Sequence, residues 1–518
     1  MNKLDERPKL NIVIFAVCLA AVMIGQFLLR LDFSPLYFAV GCALTILFAV
    51  VVSPFCIRVI SGLQFPRRGS SSGKGFRVLC YVLPLAVFLL YYAAYYPGCF
   101  SVDSINQYAQ ALTNHYNDWH PVLQTLLAFK IPLMLTGGWV GSIMLFQIVA
   151  FAAALGYSFC IMDGTVGRRF TLVAMAYILL NPLTGNIATF PWKDTTFAIG
   201  ALLLMSFAVR IFDTDGAWLR RKRNFALFAV VLAVTTVCRH NGILFTAPLL
   251  LALFLQFDKK RVLVLTLTAV VAVLLVKGPL YAALHVEQPD ERQVETLGLP
   301  MTIIGGAVKM APEKTDPDIL DFAYRIAPKE FWEKSFHRGS FNSVKWYSDS
   351  DLSVIEEYGA GKILNMTWRC IRNTPYVSAV SVLQLTEGLY AFTGRNPAVI
   401  TPAVNDNPYG IEALPPLIPG TPELIDAAQS YITRHLPHVF LYYGAAHLLL
   451  ILTVLARCRL NCLRDRKKIL FVLPVFCYNY GSGLLLSGYG DIARLFYYTL
   501  PVLPVLLLFF FQEEREET

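Results

Sequence analysis

The chain has 518 residues, 56% of them hydrophobic and only 15% charged, with a mean hydropathy of +0.53. Soluble domains run at roughly 45–50% apolar and about 25% charged, so the composition excludes a water-soluble globule and indicates an integral membrane protein. The formal net charge of +9 sits largely in short Lys/Arg loops between apolar runs. It reads as membrane topology and contact with anionic lipid, and calls for no nucleic acid.

A membrane-crossing helix needs about 20 mainly apolar residues. Such runs lie near 11–29, 34–60, 78–96, 139–162, 170–187, 195–212, 225–238, 243–257, 262–285, 436–456, 469–487 and 492–511, with 243–257 the shortest. The expected fold is an all-α polytopic membrane protein of about twelve transmembrane helices. The first run is longer than a signal-peptide core and more spans follow, so it reads as a retained anchor. The 11 cysteines lie mostly in or beside spans without paired spacing, which implies no disulfide framework.

Loop charge sets the expected orientation. With a cytoplasmic N-terminus, the inner loops carry Arg67, Arg68, Lys74 and Arg77; Arg168 and Arg169; Arg220 to Arg223; Lys259 to Arg261; and the cluster from Arg457 to Lys468. The short outer loops carry few cations: Arg30, Lys130, Lys193 and Arg239, with Arg494 opening the last span. This bias puts both termini in the cytoplasm. The expected organisation is a two-helix extension with a basic loop (1–77) and a membrane core (78–286) whose first outer loop is 97–138. A mainly helical extracytoplasmic domain (287–435), with helices near 352–373 and 376–392, precedes a three-helix membrane segment (436–518). The 376–392 helix is apolar enough to lie on the membrane, although Gln384 and Glu387 argue against its spanning.

On this topology the polar motifs bordering the spans share the outer side. They are Asp103 and Gln107 in the first outer loop; Asn117-Asp118-Trp119-His120-Pro121; Trp192-Lys193-Asp194; Arg239-His240-Asn241-Gly242; and Asp491 with Arg494. Ionisable groups beside a bilayer are costly unless paired or solvated, so their convergence predicts one outward-facing cavity. Each has a plainer role as well. Ser101 or Asp103 caps an amphipathic helix that turns Ile105, Tyr108 and Leu112 to lipid, Asp194 caps the span after it, and Asp491 pairs with Arg494. The functional reading makes Asp103 a general base, with Gln107 on the same helical face and His120 beside it. Arg239, able to grip phosphate oxygens bidentately, is the first choice for an anionic head group, joined by Lys193 and Arg494. Asp118, Trp119, Asp194, His240, Asn241 and Asp491 complete the expected substrate-binding set. The carboxylate pairs Asp213/Asp215, Asp316/Asp318 and Asp349/Asp351 suit solvated loops better than metal binding.

Tyr96-Pro97-Gly98, the Asp103-Ser104-x-x-Gln107 step, Asn117 to Pro121, Trp192-Lys193-Asp194-x-x-Phe197 and, more loosely, Arg494-x-x-Tyr497-x-x-x-Pro501 together carry a resemblance. The chain resembles membrane glycosyltransferases of the GT-C superfamily, and within it a bacterial multi-pass family assigned there. The resemblance implies a GT-C-like core in the plasma membrane of a bacterium and a first outer loop bearing a catalytic acid, which Asp103 matches by position. It further implies a polyprenyl-phosphate-linked sugar donor and a cell-envelope glycan, lipid or protein as acceptor. Many relatives carry an acidic pair where this chain has Asp103 followed by Ser104, so a requirement for a divalent metal stays open. A lipid-linked glycan flippase or transporter, and a polysaccharide polymerase or ligase, are the competing readings; polar groups at helix ends rather than the bilayer midplane favour surface chemistry.

Overall fold

The computed structural model describes residues 9–28, 35–65, 73–288, 296–337, 339–391, 400–435, 443–458, 462–485 and 492–511. The protein is 79% helical, with no β-strand among the described residues. Six helices there are long and apolar enough to cross a membrane: α1 (Lys9–Leu28), α2 (Pro35–Gly62), α3 (Lys74–Ala94), α6 (Gly141–Thr165), α9 (Lys193–Asp213) and α12 (Lys259–Ala283). Between α3 and α6 lie α4 (Val102–Thr113) and α5 (Val122–Leu135). A seventh crossing is available to α7 (Arg168–Leu179) and α8 (Pro182–Ala188), which meet at a 67° bend. That bend is written in the sequence: Pro182 has no N–H to continue the helix, and Asn181 caps the new one by accepting from the Leu183 amide at 3.0 Å.

Shorter apolar helices complete the membrane body: α10 (Lys222–Val237), α11 (Ile243–Gln256), α18 (Tyr443–Arg457), α19 (Leu473–Leu485) and α20 (Thr499–Phe511). Helices apolar on all sides either face lipid or sit inside a bundle, and burial separates the two cases here. The most apolar stretch of α9 is 72% buried and that of α6 61%, against 22% for α2 and 17% for α12. Thus α6 and α9 are the centre, and α2 and α12 present Leu, Val and Phe outward. Close approach of helices relies on small residues. A Cβ at Gly156 of α6 would run into the Tyr81 ring of α3, so a larger residue there would have to push that ring aside.

The bundle has two chemically distinct ends. At one, the Arg457 guanidinium donates to the carbonyls of Ser61 and Leu63 and lies over Phe511, while Phe65 packs edge-on to Phe170 and Phe511. Arg168 covers the Phe76 ring at 4.5 Å. The helix ends next to the basic loops therefore meet, as the charge pattern anticipates. At the other end lie the start of α9, the end of α10 and the residues before α20.

Beyond α12 come α13 (Gly298–Met310), α14 (Pro317–Ile326), α15 (Ser353–Asn373) and α16 (Pro375–Leu385). They enclose a separate apolar core around Trp332, whose indole N–H reaches the carbonyls of Ala323 and Ala327. The 352–373 expectation matches α15. The 376–392 helix ends instead at Leu385, with a short turn after it, and packs against α13. Arg369 takes up Asp316 (3.3 Å) and Asp318 (2.5 Å), so that acidic pair is an ion-pair partner. An irregular strap, 400–420, then runs back over the segment that follows α3 before α17 (Thr421–His435). Its Ala403 carbonyl accepts from the Phe100 amide, and the amides of Asn405, Leu414 and Leu417 donate to the carbonyls of Phe100, Tyr96 and Ala93.

Candidate functional site

Four chain segments converge at the end of the bundle away from the basic loops, and each is set by local chemistry. Ser101 caps α4, its hydroxyl accepting from the Ser104 amide and from the Trp192 indole at 2.7 Å. Asp103 therefore falls in the first turn of α4, where the helix dipole favours a carboxylate. Of the residues expected to face lipid, only Leu112 is exposed; Ile105 and Tyr108 turn into the core, Tyr108 against Phe100 and Tyr409 of the strap. Gln107, one turn on from Asp103, is buried and donates to Gln124 and Thr125 of α5, which locks α4 onto α5.

The loop to His120 is held from outside the site. Its Asp118 carboxylate, 4% exposed, accepts from Lys277 Nζ at 2.9 and 3.0 Å and from the Tyr281 hydroxyl at 2.7 Å. The Asp118 amide also donates to the Glu287 carbonyl. Asp118 is thus an anchor to α12, two residues from the buried His120. Lys193 Nζ stands 3.2 Å from His120 Nδ1. An ammonium can only donate, so Nδ1 accepts and the proton of the neutral imidazole is on Nε2. Burial, then the Lys193 charge, push the His120 pKa down to about 3.

At the start of α9, Trp192 is the capping position, Lys193 the first helical residue and Asp194 the second. The Asp194 carboxylate is 2% exposed and lies between two guanidinium groups: Arg239 NH1 hydrogen-bonds it, and Arg494 Nε approaches it at 3.3 Å. Arg239 is fixed further by Asn241, which accepts from its Nε at 2.9 Å, and by the Phe197 and Tyr478 rings. Asn241 in turn donates to Ser482 of α19. Arg239 thus sits beneath the surface with its side chain 5% exposed, and Arg494, at 17%, is the more open guanidinium.

Arg494 closes the cluster. Its NH1 donates to Asp103 Oδ2 at 2.8 Å, and its guanidinium lies over the Trp192 ring, itself stacked on Phe190. The sequence suggests Asp491 as partner for Arg494. Asp491 lies outside the described residues; among those described, Arg494 meets Asp103 and Asp194. Burial pushes the Asp103 carboxyl up, but Arg494, Lys193 and His120 outweigh it and bring the pKa down to about 2. The Asp103 side chain is still 31% exposed, the most open acid of the cluster. His240 is exposed, its Nε2 3.4 Å from the carbonyl of the half-buried Trp119.

The structure therefore brings Asp103, His120, Lys193, Asp194, Arg239, Asn241 and Arg494 into one hydrogen-bonded and ion-paired cluster, with Trp119 and His240 at its edge. Among the described residues it holds Lys193, Arg239 and Arg494 against Asp103 and Asp194, one positive charge in excess. Among those residues no group of three or more His, Cys, Asp or Glu is placed to hold a metal ion. Chemically the arrangement offers a reachable carboxylate beside reachable cations at a helix start, which suits an anion whose neighbouring atom reacts with a hydroxyl. Sequence reasoning passed over Lys277, Tyr281, Gln124 and Ser482. Lys277 carried a usable signal, as an ionisable residue inside an apolar span.

No family model, no curated protein and no solved structure matches the chain.

Proposed function

We propose that the protein is a GT-C-type membrane glycosyltransferase of a bacterial plasma membrane. It crosses the membrane about twelve times, with both termini cytoplasmic and the Asp103 cluster on the outer face. The reaction moves a sugar from a polyprenyl-phosphate donor to an envelope glycan, lipid or protein. The acceptor hydroxyl oxygen bonds to the anomeric carbon as the bond from that carbon to the phosphate oxygen breaks. The hydroxyl proton passes to Asp103, and the polyprenyl phosphate leaves with the bonding electrons.

The observation that carries this reading is the open Asp103 carboxylate beside the Lys193 and Arg494 cations, at the bundle end opposite the basic loops. Leaving phosphate gains negative charge, and preorganised cations stabilise it most where water is scarce. Lys193 and Arg494 fill that role because they are open, whereas Arg239 holds Asp194 and through it the start of α9 in place. Neutral His120 sets the position of Lys193.

Asp103→Asn keeps the size of the side chain and removes the base. In proteoliposomes supplied with an undecaprenyl-phosphate sugar and a hydroxyl acceptor, transfer should fall by about 10²–10⁴-fold, with protein yield and insertion unchanged. Undiminished transfer by that variant removes the assignment. The bend between α7 and α8 favours a transport reading, since broken helices line many transporter sites. Movement of a labelled polyprenyl-linked glycan across the bilayer without sugar transfer would favour it.

A further inference from the structure

Arg494 engages two carboxylates, with a hydrogen bond to Asp103 and an ion-pair approach to Asp194, that the proposed reaction cannot use together. It clamps Asp103 at 2.8 Å and approaches Asp194 at 3.3 Å, so its NH1 and Nε edges face protein carboxylates. Asp194 does not depend on it, because Arg239 already neutralises Asp194 from the buried side. Asp103 has no such second guanidinium among the described residues; Lys193 and His120 are the other titratable groups facing it. Withdrawing Arg494 therefore releases one acid and leaves the other paired.

We infer that the phosphate of the donor switches Arg494 from Asp103 to itself, so that the general base is freed only when the leaving group is seated. The inference rests on the reading above and names the regulation of that same site. Three features make the exchange feasible. Arg494 lies over the Trp192 ring, a flat support on which the fork can turn from one anion to another. Among the described residues the cluster has one positive charge in excess, which favours an added anion. Finally, the new phosphate is itself negative and close to Asp103, so the freed carboxylate becomes more basic than an isolated one. Without donor the carboxylate is held by Arg494, which keeps a base from working on water with no sugar to receive it.

The test reads Asp103 directly and needs no sugar transfer. Hydrophobic carbodiimides modify protonated carboxyl groups, so labelling of Asp103 followed by peptide mass spectrometry reports its proton occupancy. The detergent-solubilised full chain would be labelled at pH 5.5 alone, with undecaprenyl phosphate, with inorganic phosphate and with the neutral alcohol undecaprenol. Undecaprenyl phosphate should raise Asp103 labelling about tenfold or more, as its pKa returns toward the ordinary aspartate value. A rise with inorganic phosphate as well assigns the effect to the phosphate alone; a rise confined to undecaprenyl phosphate assigns it to a phosphate delivered on its tail. An equal rise with undecaprenol, or none with either phosphate, overturns the inference.

Arg494→Gln should label well above the wild type without ligand, and gain less than the wild type does when undecaprenyl phosphate is added. Low labelling of that variant also overturns the proposal; if the variant does not accumulate, the wild-type arms decide. Failure of the glycosyltransferase reading looks different: D103N would still transfer sugar, or no sugar would move at all, while phosphate-dependent labelling persisted.

Discussion

Arg239 and Arg494 both pair with carboxylates, yet removing the charge from each bond should have very different effects. The Arg239–Asp194 pair is 5% and 2% exposed, and the Arg494–Asp103 pair 17% and 31%. Stranding one member of a buried ion pair costs about 3–5 kcal/mol; Arg494, still 3.3 Å from Asp194, offsets part of that and leaves a cost of roughly 3 kcal/mol. A pair with solvent access contributes only about 0–1 kcal/mol. Arg239→Met should therefore raise the population of opened protein on the order of a hundredfold over wild type, and Asp103→Asn by less than about tenfold. The fully buried Cys238, next to Arg239, reports this opening through its rate of thiol labelling along an SDS titration in mixed micelles. Arg239→Met combined with Asp194→Asn should cost less than the sum of the single changes, since neither then leaves its partner charged. Equal labelling rates for R239M and D103N would refute the division of the cluster into a buried support and an open reacting edge.

Further expectations concern the pH response, the 114–121 loop and the sidedness. The folded pKa of His120 is depressed to about 3, so the unfolded chain takes up the proton first, near the ordinary histidine value of about 6.5. Stability should be full above that value and fall as pH drops toward 3, by up to about 1.4 kcal/mol per pH unit over this range. His120→Asn should flatten that slope in denaturation measured at successive pH values, and an unchanged slope would place the titration elsewhere. Lys277→Met takes the ammonium from the buried Asp118 and should cost about 1–3 kcal/mol. The loss should appear as faster hydrogen exchange across 114–121 while α9 stays protected. In a chain whose other cysteines are replaced, His115→Cys should react with a membrane-impermeant maleimide from outside intact cells, and Arg223→Cys only after lysis. Both side chains are exposed, so burial does not confuse the comparison.

The parts of the fold visible in the sequence are those governed by lipid. Long apolar runs mark α1, α2, α3, α6, α9 and α12 because a bilayer demands them, and alternating Lys/Arg loops anticipate which helix ends meet. The helix α15 is visible from its own periodicity. Less legible were elements whose position comes from tertiary contacts. The apolar α13 reads like a fragment of a span, yet it is buried against α15 and α16. The strap 400–420 has turn residues in plain view, such as Asn407, whose side chain binds the amides of Tyr409 and Ile411. Nothing local says that it crosses Phe100 and Tyr96.

In the candidate site the residue types were readable and their partners were not. Acids, amides and cations bordering spans on one side pointed to Asp103, His120, Lys193, Asp194, Arg239 and Arg494 as one group. The sequence could not say that Asp194 would take both guanidiniums, because residues 194, 239 and 494 meet only through the packing of three separate chain segments. It also could not rank Arg239 below Arg494 as a phosphate ligand. That order follows from burial between Phe197 and Tyr478, a property of the folded bundle. For Asp118 the loop motif suggested a substrate contact, and the partner that explains it, Lys277, stood in a span far along the chain.

The most direct measurement is a cryo-EM map of the protein with undecaprenyl phosphate bound. Phosphate density is expected within hydrogen-bond distance of Lys193 Nζ and the Arg494 guanidinium, with Asp103 released from Arg494 and Arg239 still on Asp194. Phosphate seated instead at the opposite end, among Arg168, Arg457 and Phe511, would contradict the assignment of the Asp103 cluster as the reacting site.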